Sequence, residues 1–304
     1  MKPDYKDIRD DQIRIVGEQG RRRPFGWGRR AAIVGAVLAV GAALAAGAAW
    51  LRSVRTEAAG TEQPEPALFE PANTPRPAGP RRIGKEVDGQ AAGFTEIRDT
   101  LINDIPLRLY IPHNAIMTLH LGRMDKSEPG VVFVAQAADV RADNGGIVGA
   151  FVLGGEPKAW GLSKKGFCAS IGGRVTVGVA DNTSLFEEAT AGGGYFFRQY
   201  PLVKDGQVVL GGPKGKSVRR AVCDRRGEVF MVETGSNESF YDFSQALADL
   251  GVDQAVYLVG SSAYGWAVDE EGRTHEFGED KFYTGRRRMP KNTNYMVWRR
   301  KNTP

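Results

Sequence analysis

The sequence predicts an α+β fold: a mixed β-sheet with few helices, in a single globular domain behind an amino-terminal transmembrane helix. Three observations carry this. Short runs rich in β-branched and aromatic residues recur from Val131 to Trp298, separated by Gly, Asn and Asp turns. One amphipathic helix, Ser239 to Leu250, stands immediately before a buried strand, Ala255–Val259. A run without charge occupies residues 31–51. Many strands with few helices indicate α+β rather than a βαβ repeat.

The helix–strand unit is the centre of the pattern. Phe240, Phe243, Leu247 and Leu250 recur at spacings of three and four and share one face. Ser239 followed by Asp242 reads as a capping box with Asp in place of Glu, and Gly251 as the stop. Ala255–Val259 then runs into Gly260-Ser-Ser-Ala-Tyr-Gly-Trp266, whose small residues allow close backbone approach. The loop past the carboxyl end of such a strand is a common ligand position; the alternative is a plain turn.

The other strands follow in order: Val131–Val134, Ile147–Leu153, a hairpin of Phe167–Ile171 and Arg174–Val179 about Gly172-Gly173, Tyr195–Tyr200, Gln207–Leu210, Ser217–Cys223, Glu228–Glu233 and Asn294–Trp298. Lys204–Gly206 and Asp224–Gly227 are turns, and Thr183–Thr190 is a second short helix capped by Thr183 or Asn182.

Residues 1–30 hold nine Lys/Arg against five Asp/Glu, so +4 of the net +5 belongs to this basic tail. The remainder is near neutral, which argues against a nucleic-acid partner. Residues 31–51, at about 1.5 Å each, span about 30 Å, the thickness of a bilayer core. Arg21, Arg22, Arg23, Arg29 and Arg30 precede the span and only Arg52 and Arg55 closely follow it. The positive-inside rule then places the amino terminus in the cytoplasm and the folded domain in the periplasm, anchored in the inner membrane by a single pass. A cleaved signal peptide is the rival reading. Gly35, Ala39, Ala43 and Gly47 form a small-residue row that would seat a second helix in a weak dimer. Residues 52–94, with six of the sixteen prolines, read as a disordered linker, and residues 95–304 as the domain.

Several chemistries are excluded. Leu210–Ser217 ends like a phosphate loop, but Leu210 stands where the first glycine belongs. Gly260–Tyr264 lacks the last glycine of a nucleophile elbow. His113, His120 and His275 have no metal-ligand spacing, so neither a metal nor another cofactor is expected. Cys168 and Cys223 lie in apolar strands and pack as small hydrophobes, with a mutual disulfide as the alternative. Arginines are the more informative residues. Alternation puts Arg198 on the face of Phe196 and Tyr200, and one of Arg219 and Arg220 on the less exposed side of its strand. A guanidinium so placed needs an anion, either a structural carboxylate or a bound phosphate.

Taken in order, Lys164–Cys168, Gly194–Leu202, Arg219–Cys223, Ser239–Ser244 and Val256–Trp266 resemble the phosphodiester glycosidase family, the domain carried by the mannose-6-phosphate uncovering enzyme, in its divergent Bacteroidetes branch. The resemblance covers about residues 95–300. Arg219-Arg220-Ala221 is similar to the family's Arg-Thr-Ala strand, and the segment ending at Ser239 to its Gly-Met-Thr helix start, with Asp242 for a Glu. Leu258-Val259-Gly260-Ser261-Ser262 resembles Leu-Asp-Gly-Gly-Gly-Ser with Val259 in place of the aspartate, and Gly193–Phe197 echoes Asn-Gly-Gly-Phe-Phe. The resemblance implies hydrolysis of sugar-1-phosphodiesters, such as N-acetylglucosamine-1-phosphodiesters, in envelope or external glycans. Arg198, Arg219 and Arg220, with Ser239, Gly260, Ser261 and Ser262, would bind phosphate or substrate, and Glu233 or Asp242 would supply the carboxylate. The alternative is a catalytically inactive phosphoglycan-binding or structural envelope protein.

Overall fold

The computed structural model describes residues 79–84, 87–88, 91–281 and 288–300. They fall within one unit, Thr74–Pro304. The basic tail, the apolar run 31–51 and most of the expected linker lie outside the described residues. Among the described residues no helix is long and apolar enough to cross a membrane.

Eighteen strands and two helices are described. The first sheet contains β1 (Ile83–Gly84), β9 (Arg174–Val179), β8 (Gly166–Ile171), β10 (Tyr195–Gln199), β6 (Ala150–Leu153) and β7 (Glu156–Trp160), in that spatial order. The second runs β12 (Gln207–Val208), β11 (Pro201–Lys204), β15 (Gln254–Leu258), β13 (Arg220–Arg225), β14 (Glu228–Thr234), β3 (Ile105–His113) and β2 (Phe94–Ile102). The third runs β17 (Thr274–Phe277), β16 (Gly265–Val268), β5 (Val131–Gln136), β18 (Asn294–Arg299) and β4 (Ile116–Leu121). Helix α1 is Leu185–Ala191 and α2 is Phe240–Asp249.

Every ladder in these sheets is antiparallel, so the expectation of a mixed sheet is corrected. The physical reason lies in the connections: six of the fifteen ladders, β2–β3, β6–β7, β8–β9, β11–β12, β13–β14 and β16–β17, are hairpins, which a tight turn makes antiparallel, and the longer connections between the other neighbours return the chain in the same sense. Asp205, Gly206, Arg226 and Gly227 all take positive φ, which reverses the chain within two residues. The β2–β3 hairpin, turning at Asn103 (φ 50°) and Asp104 (φ 61°), was not expected from the sequence, although Ile105–Ile111 alternates apolar and other residues.

Alternation sorts side chains between two cores. Val222, Met231 and Val256 point into a central core, joined by Phe133 and Met296 of the third sheet and Cys168 and Phe197 of the first. Ala221, Cys223, Phe230 and Val232 point the other way and pack on Phe243, Ala246 and Leu247 of α2. A smaller core lies between the first sheet and Leu185 and Ala189 of α1. Both cysteines are free and buried, in different cores, and burial pushes both thiols far up.

Helix α2 follows its sequence closely. Ser239 Oγ accepts from Asp242 N at 3.0 Å and donates to Asp242 Oδ2 at 2.7 Å, and Gly251 ends the helix at φ +83°. For α1 the cap is corrected: Ser184 holds that position without a side-chain capping bond, while Thr183 Oγ1 accepts from Leu185 N at 3.3 Å.

Residues 79–84, inside the stretch read as linker, join the domain. Ile83 pairs with Val175, and Arg81 Nη1 reaches Asp253 Oδ2 at 2.6 Å and Asp224 Oδ1 at 3.2 Å.

Candidate functional site

The carboxyl ends of β5 and β15 open into one cleft. Val259 N donates to Gln136 O at 3.1 Å and ties the two strand ends together. Beyond them the cleft, of about 750 Å³, has the Gly260–Ala263 loop as one wall and Asp139 and Arg141 on another, with Glu279, Lys281 and Lys291 at its edge.

The loop owes its shape to close backbone approaches. Ser261 N donates to Val218 O at 2.7 Å with Ser261 at φ 54°, and Gly260 N donates to Tyr257 Oη at 3.2 Å. A Cβ at Gly260 would stand 2.3 Å from Val218 O, which only glycine avoids. Gly260→Ala is therefore expected to displace the loop and cost roughly 2 kcal/mol, a cost of the overpacking kind, read from the denaturation midpoint.

Arg220 holds the loop from beneath. Its Nη1 donates to Val259 O at 3.2 Å and to Ala263 O at 2.8 Å, and its Nε is paired with the Glu233 carboxylate. Glu233 stands directly opposite Arg220 in the β13–β14 ladder. The guanidinium lies 4.7 Å from the Phe277 ring, on the central-core side. Arg219, one residue earlier, faces the other way. Its Nε donates to Glu238 O at 3.0 Å, its Nη2 to Gly215 O at 2.6 Å, and it lies 5.7 Å from the Phe240 ring beside α2.

The predicted residues thus separate. Gly260, Ser261 and Ser262 line the cleft, and neither serine hydroxyl bonds to another described residue. Arg220 and Glu233 support the loop as a pair, so Glu233 is not a free carboxylate. Ser239 and Asp242 are joined to each other in the cap of α2. Arg198 lines a different cavity, and Gly193–Phe197 leads into β10, where Phe196 and Phe197 are wholly buried.

Sequence reasoning passed over Asp139. It is half-buried, and its carboxylate has no partner among the described residues. Asn294, itself fully buried, sets the segment before it. Asn294 Oδ1 accepts from Ala138 N at 2.7 Å and Nδ2 donates to Ala138 O at 3.1 Å, an amide in place of a strand partner. The available signal was Ala137-Ala138-Asp139 directly after an apolar strand. The cations differ in freedom: Arg141 pairs with Asp143 at 2.8 Å and Lys281 with Glu279 at 2.5 Å, while Lys291 is exposed and has no carboxylate among the described residues.

A scan against protein-family models finds no match, and a search of curated proteins finds none. Solved structures do match. The catalytic domain of zebrafish N-acetylglucosamine-1-phosphodiester α-N-acetylglucosaminidase, auto-inhibited by its pro-peptide, aligns at TM-score 0.51 with 10% identity, covering 73% of this chain and 88% of that one. A hypothetical protein from Synechocystis aligns at TM-score 0.46 with 12% identity, covering 69% of this chain and 62% of that one. With three antiparallel sheets, two helices and a cleft at the ends of β5 and β15, the described residues form a mostly β domain with a phosphodiester glycosidase-like fold.

Proposed function

We propose that this chain is a membrane-anchored glycosidase acting on sugar-1-phosphodiesters, with the Ser261 cleft as its active site. The observation that carries the reading is the half-buried carboxylate of Asp139, without a partner among the described residues, in the same cleft as the hydroxyls of Ser261 and Ser262, which are likewise unengaged by any described residue. Asp139 takes the proton from a water whose oxygen attacks the anomeric carbon, and the bond to the phosphate oxygen breaks. The leaving group is a phosphate monoester, which departs without a strong general acid. Lys291 offsets its charge, and Ser261 and Ser262 donate to its oxygens. Arg220 takes no direct part; it positions the serine loop. The anchor at residues 31–51, the cytoplasmic amino terminus and the periplasmic domain belong to the same reading, as does weak pairing through the small-residue row.

A second reading, a non-catalytic phosphoglycan-binding domain, is favoured by Val259, which stands where the resembled family has an aspartate, and by the engagement of Glu233 with Arg220.

The test is sugar release by the full chain from an α-N-acetylglucosamine-1-phosphodiester, with Asp139→Asn beside it. Release by the wild type and a drop of about a hundredfold in the variant is the expected result. Binding of the phosphodiester without release by either protein overturns hydrolysis and leaves the recognition domain. Release unaffected by Asp139→Asn removes Asp139 from the mechanism.

A further inference from the structure

A second cavity, of about 530 Å³, lies beside α1 and is lined by Trp160, Leu162, Asn182, Phe186, Glu187 and Arg198. Arg198 is 3% exposed, yet no carboxylate among the described residues bonds to it. Its Nη1 donates to Lys164 O at 2.7 Å and Ala180 O at 3.0 Å, and its Nη2 to Asp181 O at 3.0 Å. A guanidinium has five N–H groups, so Nε–H and the second Nη2–H remain for another acceptor. The nearby acids do not fill that place. Asp181 pairs with Lys165 at 2.8 Å, and Glu187, exposed at the rim, makes no bond to Arg198. Lys164, also buried, places its Nζ 2.9 Å from the centre of the Tyr200 ring and has no carboxylate among the described residues. Asp181 and Glu187 act on Arg198 only through space, and a buried charge without a directly bonded counter-ion is costly and is ordinarily paired.

The other walls restrict what would pair it. Trp160 is 67% exposed and Leu162 69%, so an indole and an isobutyl group face solvent at the mouth. Close packing keeps this wall against the arginine. A Cβ on Gly149 (φ +90°) would lie 3.1 Å from Arg198 Cβ, and one on Gly161 would lie 3.2 Å from Gly149 Cα. The Asn182 amide has no partner among the described residues. A flat apolar face, a free amide and one buried cation match a sugar ring carrying one anionic substituent. The C–H face stacks on the indole, hydroxyls meet Asn182, and the anion reaches the free N–H groups of Arg198.

We propose that this cavity is a binding site for an acidic sugar unit, phosphorylated or carboxylated, separate from the Ser261 cleft and independent of what that cleft does. It would hold a charged glycan chain to the domain.

The experiment titrates the full chain with glucose 6-phosphate, glucuronate and glucose, following the Trp160 indole N–H resonance. Both anionic sugars, or one of them, are expected to shift it, and glucose to bind at least about tenfold more weakly. A shift by the phosphate alone marks a phosphosugar site, and by glucuronate alone a uronate site. Trp160→Ala is the main variant because its side chain is exposed and its removal spares the core; a loss of about tenfold or more in affinity is expected. Asp139→Asn should leave this binding unchanged. Arg198→Lys keeps the charge and should retain part of the affinity, whereas Arg198→Met should lose it. The proposal is overturned if no sugar moves the Trp160 resonance, if glucose binds as well as the acidic sugars, or if Trp160→Ala binds as the wild type does.

Discussion

Arg220→Met is expected to destabilise the domain by about 3–5 kcal/mol, the cost of breaking a buried ion pair from one side. Arg220 and Glu233 have side-chain exposures of 4% and 15%, so the carboxylate left behind has little access to water. The same substitution strips the donor from Val259 O and Ala263 O, and each orphaned carbonyl adds about 1–3 kcal/mol if water cannot reach it. Denaturant unfolding with Arg220→Met, Glu233→Leu and the double variant separates the two contributions. Were the ion pair the whole effect, the double variant would recover most of the loss. Because the carbonyls of the 259–263 loop also depend on Arg220, recovery should be partial. Full recovery would show that the loop does not need the guanidinium.

Arg81→Ala should cost about 3 kcal/mol at neutral pH, and the cost should shrink as the pH falls. Asp224 is wholly buried, Asp253 nearly so, and Arg81 is the cation bonded to both. Burial already holds the Asp224 carboxyl above its ordinary range, against the opposing pull of the Gly227 amide and Arg81. Removing Arg81 raises it further. A carboxyl whose folded-state pKa lies above its unfolded value binds more protons in the native state, so its fold loses stability as the pH rises through that range. The difference between wild type and variant should therefore widen from about pH 4 to 7. Removing residues 1–90 should act the same way, since it deletes Arg81 and β1 together. Denaturation midpoints at several pH values check both; a pH-independent difference would mean that Arg81 acts by packing alone.

Much of the local structure was legible. The α2 helix, its Ser239–Asp242 cap, the Gly251 stop, the strand before Gly260 and the Phe167–Val179 hairpin all follow from period, capping residues and turn glycines, which act within a few residues. The three-sheet antiparallel arrangement was not, because strand pairing joins segments as distant as β4 and β18, and no local residue records a partner's direction. The site divides in the same way. Gly260, Ser261 and Ser262 announced a loop, while the partners that shape it, Arg220 and Asn294, act across sheets.

By itself the sequence determined the reversals at Gly172-Gly173, Lys204–Gly206 and Asp224–Gly227 and both ends of α2, that buried strands carry arginines, and that those arginines need acceptors. Only the tertiary structure decided which acceptor each one has. Alternation makes Arg219 and Arg220 point to opposite faces of one strand, and the strand order then brings carbonyls to Arg219, Glu233 to Arg220, and an open cavity to Arg198. Which face meets which neighbour depends on long-range packing, and among the described residues that packing leaves Asp139, rather than Glu233 or Asp242, as the unpaired carboxylate beside the serine loop.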